Sequence, residues 1–120
     1  MYKYNEINEV HLEITQRCNA ACPMCDRNEN GGAVNQHIRD DEKELSLSDC
    51  IDIFPHDFIA QLNTMYMCGN LGDPISARDT LEVMQWFRDC NPNMWLSMNT
   101  NAGMQSAEWW GELARVIGRN

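Results

Sequence analysis

Three short runs rich in strand-forming residues, 9–15, 64–68 and 94–98, are each followed by a polar loop and then by residues at helical spacing. This recurrence limits the fold more than any other feature of the chain. In the first run Val10, Leu12 and Ile14 alternate with His11, Glu13 and Thr15, giving one apolar and one polar face. The apolar set is expected to pack on helices, with the polar set turned to the open side of the sheet. Ser48 is predicted as a helix N-cap with Asp49 in the first turn, and Pro55 should end or kink that helix. A short helix is expected over 57–62. Leu81, Met84 and Phe87 then recur at helical steps, closed by Asn91-Pro92-Asn93. The last helix should open at Ser106, carry Trp109, Trp110, Leu113, Ala114 and Ile117 on one side, and stop at Gly118. The polar stretch 27–44 reads as a loop or a frayed helix end, and its acidic run Asp40 to Glu44 as a solvated loop.

Strands alternating with helices imply right-handed crossovers and a parallel sheet, hence an α/β fold of one domain over 1–120. Ligands of such sheets gather at the carboxyl ends of the strands. All three unusual segments lie there: Cys18 to Cys25, Gly69 to Pro74, and Asn99 to Gly103. They are expected to converge on one face.

Composition narrows the partners. A net charge of −9 argues against nucleic acid, which requires a basic face. No run is long enough to span a bilayer, and the opening Met1-Tyr-Lys-Tyr-Asn-Glu6 lacks the apolar core of a signal peptide. Six cysteines in such a chain read as reduced thiols or metal ligands in a cytoplasmic setting. Cys50, Cys68 and Cys90 are scattered singly and read as small buried hydrophobes, Cys68 being the exception to watch because it ends the second strand beside the loops.

The segment Cys18-Asn-Ala-Ala-Cys22-Pro-Met-Cys25 holds three cysteines at C-x3-C-x2-C spacing. Zinc takes four ligands, commonly from two separated pairs, and here a fourth would have to be His11 or His37. A 4Fe–4S cluster on Cys18, Cys22 and Cys25 fits the short steps better and leaves one iron open. In its strand context, Glu13-Ile-Thr-Gln-Arg-Cys18 through Cys25 resembles the opening of the radical S-adenosylmethionine (radical SAM) enzymes, closest to the branch that often carries a SPASM or twitch-type extension. The resemblance implies that the open iron binds SAM and that an electron, from a reductant such as a flavodoxin or ferredoxin, releases a 5′-deoxyadenosyl radical that abstracts hydrogen from a substrate. It suggests peptide or protein as that substrate. Where the family usually has an aromatic residue near the adenine, this chain has Met24, whose soft sulfur can cover a ring face.

Gly69-Asn70-Leu71-Gly72-Asp73-Pro74 resembles the family's Gly-Gly-Glu-Pro segment, which implies that Gly69, Asn70, Gly72, Asp73 and Pro74 form the edge receiving the SAM ammonium. Read alone, the same residues are an ordinary Asp-Pro turn. Thr100-Asn101-Ala102 resembles the family's Thr-Asn-Gly segment, giving Asn99 and Asn101 either a cofactor or substrate contact or a plain turn role. The family's core is a partial (βα)6 barrel, whereas this chain supplies a (βα)3 portion. It is therefore expected to be a fragment or truncated product, or to complete itself by association with itself or a missing half; a non-catalytic Fe–S or zinc module is the alternative reading.

Overall fold

The computed structural model describes residues 1–118. Strands β1 (Glu9–Leu12), β2 (Thr64–Met67) and β3 (Trp95–Met98) form one parallel sheet in the order β1-β2-β3. Val10 lies opposite Met65, and Met65 opposite Leu96. Around it run α1 (Gln36–Asp40), α2 (Leu47–Ile53), α3 (His56–Gln61), α4 (Thr80–Cys90) and α5 (Ala107–Ile117). The architecture is thus α/β with parallel strands, as the alternating pattern requires.

Period-two alternation places Leu12, Met65, Met67 and Leu96 in the core. Helix α4 supplies Val83, Met84 and Phe87 to the same core and lies against α2, α3 and α5. Of the polar alternates, His11 in β1 and Glu13 just beyond it are exposed, whereas Thr15 is buried against Glu44, contrary to expectation; His11 stacks on Tyr66 of β2 with ring centroids 4.5 Å apart. The outermost strands leave their far sides without a strand partner among the described residues, and Trp95 of β3 is 55% exposed.

Several boundaries differ from the sequence reading. β1 stops at Leu12 because residues 14–16 leave β2 and bond to a different segment: Leu45 N–H donates to Ile14 O at 2.8 Å, and Gln16 N–H to Lys43 O at 2.9 Å. β2 likewise ends at Met67, and β3 begins at Trp95. Residues 27–44 contain α1, with Asn35 as its N-cap and Ile38 buried beneath it. The N-cap of α2 is Ser46, not Ser48. Asp49 stands three residues after Ser46, so a capping box forms; Ser48 already lies inside the helix. Bonds from the Ser46 backbone and hydroxyl hold the Asp49 carboxyl below its ordinary pKa. Ser46→Ala is expected to lower stability by about 1 kcal/mol in denaturant melts, the usual loss for an N-cap. An unchanged midpoint would mean that the cap contributes nothing. Pro55 ends α2 as expected and serves as N-cap of α3.

On α5, Leu113 and Val116 are the buried positions, Trp109 and Trp110 are half-buried in an edge-to-face pair, and Ala114 faces solvent, contrary to expectation. Two buried polar side chains tie the layers together. Arg88, 3% exposed, donates to Val116 O, Pro92 O and Met94 O; Asn91 Nδ2 donates to Leu62 O at 2.7 Å. Cys50 and Cys90 are buried as read, and burial, reinforced by Asp49 and Asp79, pushes the Cys50 thiol up to about 11. No helix among the described residues is long and apolar enough to cross a membrane.

Candidate functional site

The cysteine loop begins where residues 14–17 are clamped from the side. Glu44 Oε1 accepts from Thr15 Oγ1 at 2.9 Å and from Arg17 Nε at 2.9 Å and Nη2 at 2.6 Å. Its other oxygen accepts from Arg78 N–H at 3.3 Å. Arg27, 6% exposed, donates to Gln16 O at 2.9 Å and pairs with Glu42 at 3.4 Å. The acidic run is therefore not simply solvated: Glu42 and Glu44 brace the root of the loop. Sequence patterning missed them because a clamp across 27 residues leaves no periodic trace.

Burial pushes the Glu44 carboxyl up, but the bonds from Thr15, Arg17 and Arg78 and the charge of Arg17 outweigh it and hold the pKa below the ordinary 4.5. A carboxyl whose pKa falls on folding adds stability that is present above the unfolded value and is lost as pH drops through the folded value. Acidification below the ordinary 4.5 is thus expected to destabilise the parent more than Glu44→Gln. Melts of the two across that range check this, and parallel curves would contradict it.

Within the loop, Cys25 N–H closes a turn on Cys22 O at 3.1 Å, and Asn28 N–H donates to Cys25 O at 3.0 Å. Cys18 and Cys25 are half-buried, Cys22 is exposed, and all three are free thiols. Met24 stands 95% exposed. Cys18 Sγ receives Ala20 N–H at 3.4 Å and Asn101 Nδ2 at 3.8 Å, and Cys25 Sγ lies 3.8 Å from Asn70 O. The loops after β2 and β3 therefore both reach the loop after β1, as their positions at the strand ends predict.

The second loop is drawn in tightly. Gly72 packs so close to the root that a Cβ there would lie 2.1 Å from Thr15 O, and Asp73 N–H donates to Arg17 O at 2.8 Å. Gly69 folds against Gly72 in the same way, and Pro74 is buried at the start of a short 3-10 turn. Asn70 donates from its backbone at 3.1 Å and from Nδ2 at 2.6 Å to the Glu13 carboxylate, which fixes its carbonyl beside Cys25. Asp73 is 5% exposed; one oxygen accepts Ile75 N–H at 3.1 Å and the other Asn101 N–H at 2.8 Å. In this structure its carboxylate joins the second loop to the third. Asn99 is exposed, with its N–H on Met67 O at 2.9 Å. Cys68, half-buried, offers its carbonyl to His11 Nε2 at 2.6 Å.

Among the described residues no three His, Cys, Asp or Glu side chains gather closely enough to hold a single metal ion. No protein-family model matches the chain, and no curated protein sequence does.

Proposed function

We propose that the chain is a radical SAM protein whose loop holds a 4Fe–4S cluster on Cys18, Cys22 and Cys25. The observation that carries this reading is the meeting of three strand-end loops on that trio, through Asn70 at Cys25 and Asn101 at Cys18. The donor chemistry agrees: three free thiols on one loop, one already receiving N–H donors, suit a cuboidal cluster whose irons each take a separate thiolate. Such a cluster, when bound and reduced by a flavodoxin- or ferredoxin-like donor in a reducing cytoplasm, would supply the one electron that splits SAM into methionine and a 5′-deoxyadenosyl radical for hydrogen abstraction from a substrate of peptide type.

The chain's own residues then have distinct tasks. The Glu44 clamp and Gly72 fix where the loop starts. Each Asp73 oxygen accepts one backbone N–H, which fixes the carboxylate where it would receive a ligand's ammonium group together with carbonyls of the turn 69–72. Met24, 95% exposed, would be the residue to cover a ring of the ligand. On this reading the sheet is the (βα)3 portion of a larger partial barrel.

Anaerobic reconstitution with iron and sulfide, then dithionite and SAM, tests the proposal. A cluster whose EPR signal changes with SAM and which yields 5′-deoxyadenosine supports it. A cluster indifferent to SAM indicates a non-catalytic Fe–S module, and tightly bound zinc without iron uptake would leave only the zinc module.

A further inference from the structure

The three sulfurs are not equivalent, and the third loop is shaped to make one of them different. Cys18 Sγ receives two N–H donors, the Ala20 amide at 3.4 Å and the Asn101 carboxamide at 3.8 Å, whereas Cys25 Sγ faces the Asn70 carbonyl. The orientation of the Asn101 carboxamide follows from its partners. Its Oδ1 accepts Gly103 N–H at 2.7 Å, which leaves Nδ2 to face Asn19 Oδ1 at 2.9 Å and the sulfur. Gly103 makes room for this arrangement, since a Cβ there would lie 2.8 Å from Asn101 Oδ1 and 2.9 Å from Asn19 Nδ2. The loop also holds two non-glycine residues in the left-handed region, Ala102 at φ 55° and Gln105 at φ 78°. Such conformations persist only where surrounding bonds over-determine them. Here they are Ala102 N–H on Thr100 Oγ1, Asp73 on Asn101 N–H, and Gln105 Nε2 on Ile75 O.

From this geometry we infer that Asn101 is a positioning residue that donates an N–H to the Cys18 sulfur and thereby raises the reduction potential of a cluster bound there. The inference rests on the proposed cluster reading. On reduction the cluster gains one electron, from dithionite in the test, and no bond breaks. The electron accumulates partly on the sulfur ligands, so an N–H directed at one of them stabilises the reduced form more than the oxidised form. Removing the donor moves the midpoint to more negative potential.

Two variants separate this role from scaffolding. Asn101→Asp keeps an oxygen for Gly103 N–H but removes the donor and adds negative charge; Asn101→Ala removes both partners. Spectroelectrochemical titration of the anaerobically reconstituted chain is expected to order the midpoints parent, then Asn101→Ala, then Asn101→Asp as the most negative. Exposed Asn93→Ala, distant in the turn before β3, should match the parent. In the metal-free chain, Cys18→Ala should shift the Asn101 side-chain amide resonances in 15N NMR while Cys22→Ala leaves them in place. Iron loading with midpoints that ignore both Asn101 variants overturns the inference alone, as does an Asn101 amide unmoved by Cys18→Ala. An amide that responds to Cys18→Ala in a chain that takes up no iron overturns the cluster reading beneath it.

Discussion

Replacing Cys18, Cys22 or Cys25 by Ala, one at a time, is expected to abolish cluster assembly, with iron and sulfide contents falling to background after anaerobic reconstitution. The reason is ligand number. Two thiolates on one exposed loop cannot retain a cube that three hold, and no other cysteine stands on that loop to replace the missing one. Cys50 and Cys90 are excluded by their places in the core, where burial pushes both thiols up and away from the thiolate form that binds metal. Cys90→Ala should therefore leave iron content unchanged. Iron loss in that variant, or full loading in any member of the trio, would show that the ligands are misassigned.

Gly72→Ala should be strongly destabilising. The new Cβ would sit 2.1 Å from Thr15 O and 2.9 Å from Arg17 O, both backbone atoms that no rotamer change can move aside. Either the second loop lifts off, breaking Asp73 N–H to Arg17 O, or the root of the cysteine loop shifts. Overpacking of this severity costs about 3 kcal/mol, which corresponds to a drop in Tm of roughly 12 °C for a domain of this size. Gly111→Ala supplies the contrast, because nothing lies within 4 Å of a Cβ there and the residue is inside α5. That change should add about 0.5–1 kcal/mol through the better helix propensity of alanine. Equal melting of the two variants would refute the crowding argument.

The parallel sheet and the long helices were legible because burial imposes a period. Leu12, Met65 and Leu96 alternate with exposed or half-exposed neighbours, and Leu81, Met84 and Phe87 recur at helical steps. Convergence of the three loops followed from strand direction alone. What escaped was whatever depends on a partner far along the chain. Glu44 looks like any solvated acid until the chain folds it against Arg17. Asp73 in a Gly-Asp-Pro turn reads the same whether its carboxylate is open to a ligand or bonded to Asn101 N–H. Ser48 and Ser46 are equally good caps by residue type, but only Ser46 has Asp49 three residues on to complete a reciprocal box. Ala114 was placed inward by spacing, but the face of α5 turns towards Val116, whose carbonyl Arg88 holds.

Among the described residues neither flank of the sheet has a strand partner, and this constrains symmetry. Because β1, β2 and β3 all run the same way, the two flanks are chemically distinct, and each can bond to a copy of itself only with the strands reversed. A two-fold dimer formed through β3 would thus be antiparallel across its axis and would close at two chains. Extending the parallel order requires β3 of one molecule against β1 of the next, a head-to-tail contact that repeats until a ring closes or a filament grows. For this sheet, a closed pair and a continued parallel array are mutually exclusive uses of the β3 flank.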